Sequence, residues 1–408
     1  MRTTMTDSAL SLHSTDQSID SSPGGKVFQH VRVAIISDAI AGRNGVGTYY
    51  QDLIQYLKPE VDCVEVIGPG PEKDPQLESW SVPMPGDRSQ RVSFPVKKTL
   101  RAKLDAMQPN LIVIPTIGPF SYFAWKYAVA NKIPFVVVHH TNFKQLLSVY
   151  WPSIFAQPTG WALSKVYAMV MRQSAAVAAM NSDAFEQAQW MGADNVRVMG
   201  TPIAPCFANV PATEPQQKPN RVVFVGRLAA EKGISSLLEC VRQVPQAHFT
   251  VVGDGPQRGR VDACAAEVDN LEVLGWKDRE DVLKEMDRAD ILLLPSQVET
   301  FGTVALEALT RRRYVLVRRE CGIAKWPSIS KGLFFIEQNE TIADAICRLM
   351  EMDGERRNQI AARSWDATRD FNDYTVRVWL RFLADTAFGE SVTASSAAGE
   401  SVGSQSEL

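Results

Sequence analysis

From residue 221 onward, short apolar runs and helical patterns alternate with unusual regularity. Strands are expected at 221–225, 249–253, 271–274, 291–295 and 314–317, with helices at 234–243, 257–268, 280–287 and 303–310 between them. Strands separated by helices of this length pair in parallel, with the helices as crossovers on both sheet faces. A looser version precedes it, with strands at 31–37, 111–115 and 135–139, a helix at 46–57, and Ser182 as a cap for a helix over 183–191. The chain has 408 residues, long for one core, and the Pro-rich stretch 210–219 (VPATEPQQKP) is a natural linker. Two doubly wound α/β domains, divided near 205–218, follow.

Residues 1–27 and 388–408 are rich in small polar residues and lack apolar periodicity, so both are expected to be disordered tails. Six scattered cysteines form no CxxC pair, which argues against a zinc site or a disulfide framework. No apolar leader follows Arg2, and the longest uncharged runs are too polar to cross hydrocarbon, so a cytoplasmic protein without a spanning helix is expected. Net charge is −3, which by itself argues against an anionic partner. Its distribution does not: residues 88–182 hold eleven Lys or Arg against one acid, Asp105, leaving the rest of the chain at −13.

Four clusters carry chemistry. Gly226-Arg227-Leu228-Ala229-Ala230-Glu231-Lys232-Gly233 follows a strand and opens a helix. Arg can fork onto phosphate oxygens, Lys adds a point charge and helix amides add donors, a set suited to a diphosphate. From spacing alone, a solvated helix start reads equally well. Glu299-Thr300-Phe301-Gly302-Thr303 and Glu307 follow the strand ending at Pro295, where open α/β sheets place their ligands. Carboxylates there can accept ribose or sugar hydroxyls; Glu307 as a dipole-favoured acid early in a helix is the plainer alternative.

Gly42, Gly45, Val46 and Gly47 form a glycine-rich turn after the first strand, without the spacing of a dinucleotide fingerprint or a P-loop. Helix–strand packing accounts for such a turn, although it also sets a helix N-terminus at the cleft. Gly253-Asp254-Gly255-Pro256 is likewise mostly a turn. His139-His140-Thr141-Asn142 closes an apolar strand, and alternation allows one of the two histidines to face the crevice.

The basic region adds two textures that suit a lipid surface. Lys97, Lys98, Arg101 and Lys103 surround a short helix, and Tyr150, Trp151, Phe155, Trp161 and Tyr167 stand among aliphatics over 143–171. Cations near anionic headgroups contribute roughly 1 kcal/mol each, and aromatics favour the interface. A core helix and a solvated face are the plainer uses. The near-absence of acids favours membrane contact, and no nucleic-acid motif accompanies the patch.

Jointly, these motifs resemble the family 4 retaining glycosyltransferases of the GT-B fold. The family pattern G-R-x-x-x-x-K-G, G-D-G-P and P-S-x-x-E-x-F-G-x-x-x-x-E stands here at 226–233, 253–256 and 295–307, in order and at family spacing. The resemblance covers about 30–386 and is looser in the first half, where it rests on the 42–47 turn and His140-Thr141. It implies two Rossmann-like domains facing across a cleft: an acceptor-binding domain at 28–205, a nucleotide-sugar donor-binding domain at 206–373, and a helix at 374–387 returning to the first.

It also implies roles. Arg227 and Lys232 would hold the diphosphate, Glu307 the ribose hydroxyls and Glu299 the donor sugar. The amides of Phe301, Gly302 and Thr303 would meet sugar hydroxyls, Gly45, Val46 and Gly47 would line the donor site, and His140 would orient the sugar. Two departures stand out: Thr310-Arg311-Arg312-Arg313-Tyr314 replaces small residues and Gly-x-Pro, and Glu320-Cys321-Gly322-Ile323 replaces a Gly-Gly loop.

Within the family, the HT pair and the basic, aromatic first domain are similar to enzymes that glycosylate diacylglycerol or phosphatidylinositol, including the sulfoquinovosyl type. The expected activity is retaining, metal-independent transfer of a sugar from a nucleotide sugar, UDP favoured over GDP, to a membrane lipid such as diacylglycerol. The nucleotide sugar is a co-substrate and no cofactor or metal is expected. Partners would be the donor, the lipid and an anionic membrane surface on the inner face of the cell membrane, touched by Lys97, Lys98, Arg101, Lys103, Trp151, Phe155 and Trp161. A soluble transferase acting on a saccharide and a non-catalytic nucleotide-sugar binder are the alternatives.

Overall fold

The computed structural model describes residues 28–40, 45–84, 87–140 and 153–389. Its first sheet is parallel, in the order β2-β1-β5-β6-β7-β8. These strands are β1 (Arg32–Ile36), β2 (Cys63–Ile67), β5 (Leu111–Ile114), β6 (Phe135–His139), β7 (Ala176–Ala179) and β8 (Val196–Val198). An antiparallel pair, β3 (Glu78–Met84) and β4 (Asp87–Pro95), stands apart from it. The second sheet is also parallel, in the order β11-β10-β9-β12-β13-β14. Its strands are β9 (Arg221–Val225), β10 (His248–Val252), β11 (Leu271–Gly275), β12 (Ile291–Leu294), β13 (Tyr314–Arg318) and β14 (Phe334–Ile336). Strands covered by helices on both faces need unbroken apolar sequence, and LIVI of β5, AVAA of β7 and ILLL of β12 are buried at every position.

The helices of the first half are α1 (Gly45–Leu57), α2 (Lys97–Met107), α3 (Pro119–Asn131), α4 (Ser153–Gln173) and α5 (Ser182–Trp190). In the second half, α6 (Ile234–Gln243), α7 (Arg258–Ala265), α8 (Arg279–Arg288) and α9 (Thr303–Thr310) alternate with the strands. Then come α10 (Ile342–Glu351), α11 (Gly354–Trp365) and α12 (Ala367–Phe388). The cap of α5 is Asn181, whose side chain accepts from the Ala184 amide, and not Ser182, which is the first helical residue.

Each sheet reverses its winding order at one point, between β1 and β5 and between β9 and β12. Ligand crevices of open α/β sheets form there, outside the carboxyl ends of the strands. The α1 start and the loops after β9 and β12 are therefore brought to the interdomain cleft. α12 joins the halves: its Phe371 lies in the core of the second domain, and Trp379, Leu380, Phe382, Leu383 and Ala384 lie in the core of the first. Asn372 accepts from the Ile203 amide at 2.8 Å, and Arg197 pairs with Asp385 at 3.1 Å.

The linker is pinned by the arginines that replace the expected Gly-x-Pro. Arg311, fully buried, forks onto Asp287 at 2.8 Å through both Nε and Nη2. It also donates to the carbonyls of Phe207, Val210 and Pro211. Arg313 bonds the Ala289 carbonyl and Thr213, and Arg312 pairs with Glu214 at 2.6 Å. This departure from the family pattern thus serves the linker.

Candidate functional site

Two loops of the second domain build the crevice. Gly233, at φ +73°, sits so close to the next loop that a Cβ there would lie 2.5 Å from the Pro295 carbonyl oxygen. The missing side chain lets the two loops touch, and Lys232 meets Glu299 across the contact with Nζ 2.6 Å from Oε2. Ser296 donates to the same carboxylate oxygen at 3.2 Å. Arg227 is ion-paired with Glu231, a buried acid of the short turn Ala230–Lys232. The Glu299 loop is held from behind by Gly322 and Ile323, whose amides donate to the carbonyls of Glu299 and Phe301 at 3.0 and 2.6 Å. A Cβ at Gly322 would fall 1.8 Å from the Thr300 carbonyl oxygen, so the Gly-Ile loop keeps the one glycine this packing requires.

Phe301 packs its buried ring near Trp326 and Phe371, so only its backbone is left to face a ligand. Gly302 caps α9 at φ +93°, and Thr303 begins that helix. Glu307, on α9, is buried, and its Oε1 accepts from Arg279 Nη1 at 2.8 Å. Burial raises its pKa above the usual carboxylate value, and Arg279 offsets only part of the rise.

The first domain supplies the opposite wall. α1 buries Gly47, Tyr49, Tyr50, Asp52, Leu53 and Leu57. Val46 is half-buried and Gly45 is exposed, with nothing within 4 Å of where its Cβ would stand. Strand alternation separates the two histidines. His139 points into the core beside Gln187, whereas His140 shares a 2.8 Å hydrogen bond with the Tyr50 hydroxyl through Nε2. Burial drives the His140 pKa down to about 3, and His139 adds to the effect. His140 is therefore neutral at physiological pH and can orient a hydroxyl without carrying charge. Its carbonyl accepts from Thr300 Oγ1 at 2.5 Å, and Asn181 Nδ2 donates to the Thr300 carbonyl at 2.5 Å. His140 and Glu299 are thus neighbours through Thr300, from opposite domains.

Sequence reading missed three contributors: Asp52, Arg279 and Asn181. Asp52 was visible as an acid within the apolar stripe of α1, and Arg279 as a cation at a helix start, where the dipole disfavours it. Asn181 was hidden behind the cap assigned to Ser182.

The basic face divides in two. Lys97, Lys98, Arg101 and Lys103 are all exposed on α2, whose Leu100, Leu104 and Met107 are buried in the domain. α2 thus presents charge without an apolar face. Among the described residues of this basic stretch, the exposed large apolar side chains lie on α3 and α4, at Tyr122, Val129, Trp161, Val166 and Met169, with Trp161 62% exposed. Lys126 and Lys165 stand over the rings of Tyr122 and Trp161. Trp151, Thr141, Gly42 and the Phe155 side chain lie outside the described residues. Among the described residues no helix is long and apolar enough to cross a membrane.

Comparison with known proteins gives consistent matches. The family model described as "Glycosyltransferase Family 4" matches residues 43–205, and "Glycosyl transferases group 1" matches 208–364. The chain is 23% identical over 300 residues to the sulfoquinovosyl transferase SQD2 of Arabidopsis thaliana, covering 69% of this chain and 58% of that protein. It is 23% identical over 357 residues to the alpha-monoglucosyldiacylglycerol synthase of Acholeplasma laidlawii, covering 79% and 88%. Of the three first-ranking curated relatives it spans 26–58% of the length. Among solved structures, Anabaena HepE in complex with UDP-glucose superposes with a TM-score of 0.61 at 15% identity, covering 86% of this chain and 98% of that one.

Proposed function

Because this chain belongs to the family 4 glycosyltransferases of the GT-B fold, we propose that it moves a sugar from a nucleotide sugar, UDP-linked in preference to GDP-linked, onto a hydroxyl of a membrane lipid such as diacylglycerol. The observation that carries the reading is the set of cation–carboxylate pairs in one crevice, Arg227–Glu231, Lys232–Glu299 and Arg279–Glu307. A dianionic diphosphate entering there takes over Arg227 and Lys232, which frees Glu299 for sugar hydroxyls, while Glu307, still held by Arg279, accepts the ribose hydroxyls. HepE, a likeness of fold, was crystallised in complex with UDP-glucose, which suits the preference for UDP.

Chemistry follows from the same groups. The bond between the anomeric carbon and the phosphate oxygen breaks, with positive charge developing on the sugar. Arg227 and Lys232 stabilise the departing diphosphate by preorganised charge. The lipid hydroxyl attacks on the face the diphosphate leaves, giving retention, and its proton passes to the departing phosphate oxygen. Neutral His140 and Glu299 orient the sugar, and neither is required as a nucleophile. The cations supply the charge that a metal would supply elsewhere, so transfer without a metal is part of the proposal, as is the absence of any other cofactor.

The lipid acceptor is supported by the likeness to a sulfoquinovosyl transferase and an alpha-monoglucosyldiacylglycerol synthase and by the first domain's surface. Lys97, Lys98, Arg101 and Lys103 would attract anionic headgroups, and Trp161 would enter the interface, holding the enzyme peripherally on the inner face of the membrane. The decisive experiment incubates the protein with a panel of UDP- and GDP-sugars and diacylglycerol liposomes containing anionic lipid, and reads products by mass spectrometry. A glycosylated lipid of retained anomeric configuration, formed in the presence of chelator, is expected. Transfer only to soluble saccharides would overturn the lipid assignment, and donor binding without transfer would mark a non-catalytic binder.

A further inference from the structure

The donor-site reading gives Glu307 a role but does not explain why its carboxylate is tied to the opposite domain. Arg279, the first residue of α8, makes the tie: Nη1 lies 2.8 Å from Glu307 Oε1 and Nη2 lies 2.7 Å from Asp52 Oδ2. Its guanidinium stands 5.0 Å from the ring centroid of Phe207, at the entry to the linker. Nε is buried and makes no hydrogen bond. A cation at a helix start works against the helix dipole, so α8 itself does not hold it there. The two carboxylates do, and both are nearly inaccessible.

A carboxylate that must accept the two hydroxyls of a ribose does so best when ionised and fixed in direction. Glu307 is buried, which raises its pKa, and the Arg279 cation it touches opposes that rise. Arg279 is in turn aimed by Asp52, 227 residues away in sequence, on the helix that begins with Gly45.

We propose that Arg279 is a positioning residue for the nucleotide: it holds the Glu307 carboxylate aimed at the ribose, and Asp52 of the first domain keeps Arg279 in place. Asp52 touches no ligand. The nucleotide affinity of the second domain therefore depends on an acid of the first, and by linkage a bound nucleotide favours the docked arrangement of the two domains. This inference rests on the donor-site reading above.

The test is calorimetric titration of UDP at pH 8.5, above the Asp52 pKa of about 7, into the full chain and its Asp52→Ala, Asp52→Asn, Arg279→Ala and Asp52→Ala/Arg279→Ala variants, with thermal unfolding to confirm that each is folded. Asp52→Ala and Arg279→Ala should each weaken UDP about five- to tenfold. Their combination should be no weaker than Arg279→Ala alone, because one acts through the other. Asp52→Asn, which keeps an acceptor, should recover part of the loss. Inorganic pyrophosphate, which lacks the ribose, should bind all variants as it binds the wild type. Asp52→Ala binding UDP like the wild type would overturn the coupling, as would multiplying losses in the double variant. Equal losses for UDP and pyrophosphate would reduce Asp52 to a structural role and also overturn it. A wild-type chain that binds neither UDP nor GDP would instead overturn the donor-site reading itself.

Discussion

At the scale of single residues, charge compensation dominates the crevice. On the proposed function, replacing Arg227 or Lys232 by Ala removes a preorganised cation from the leaving group and the ion-pair partner of Glu231 or Glu299. We expect transfer to fall by about 10²–10³-fold, with the unfolding midpoint within a few degrees of wild type; single-turnover assays and thermal scans check it. His140 titrates in the opposite sense from a general base poised near neutrality. Its folded pKa of about 3 lies below the unfolded 6.5, so the unfolded chain binds the extra proton between those values. Stability should fall as pH drops from 6.5 towards 3, and His140→Asn should flatten that fall. The pH–rate profile should show no limb assignable to His140 between pH 6.5 and 9.

Asp52 behaves conversely. Burial, aided by Glu307 and opposed by Arg279, pushes its pKa from 3.8 up to about 7. The folded chain therefore holds a proton that the unfolded chain has lost, and this stabilising contribution disappears as pH rises from 3.8 through 7. Between pH 5 and 8 the wild-type melting temperature should drop relative to that of Asp52→Asn; parallel curves would sink the assignment.

Among elements, the loops and helices that sequence exposed are those whose chemistry is local. Arg227, Lys232, Glu299 and Glu307 sit at fixed spacing after strands of a regular α/β pattern, so motif and fold support each other. Asp52 and Arg279 share no local pattern, because only the closure of two sheets brings them within 2.7 Å. The antiparallel pair β3–β4 escaped for a different reason: its polar, Pro-containing sequence lacks the apolar runs that mark buried strands. α2 was legible as an amphipathic helix, but sequence could not say whether its leucines met lipid or protein, and the structure buries them.

Substituting Gln for Lys97, Lys98, Arg101 and Lys103 together should therefore abolish salt-sensitive co-sedimentation with anionic liposomes and leave the melting temperature nearly unchanged. In contrast, Arg311→Ala strands Asp287 and opens the linker contacts, and should cost about 3–5 kcal/mol in denaturant unfolding.

For the whole molecule, sequence captured two facing α/β units well, since periodicity and length report cores directly. It reported less about how they are held together. That task falls to Arg311 and Arg313 on the linker, to Thr300 and Asn181 across the cleft, and above all to α12. Trp379 of α12 is wholly buried against α1, with its ring 6.3 Å from that of Tyr49. Trp379→Ala should cost about 3–5 kcal/mol and loosen the first domain, read as increased amide exchange in α1 more than in α9.

The path of α12 has a consequence for how the chain is made. Domains generally fold in the order in which they leave the ribosome. Here the first domain to emerge lacks Trp379, Phe382 and Leu383 until the second has been synthesised in full. Its sheet waits, incompletely covered, through the translation of more than 160 further residues after β8, while β9 to β14 can already pair among themselves. The vectorial order is inverted: the domain synthesised second is the first able to finish, and the final helix seals the domain synthesised first.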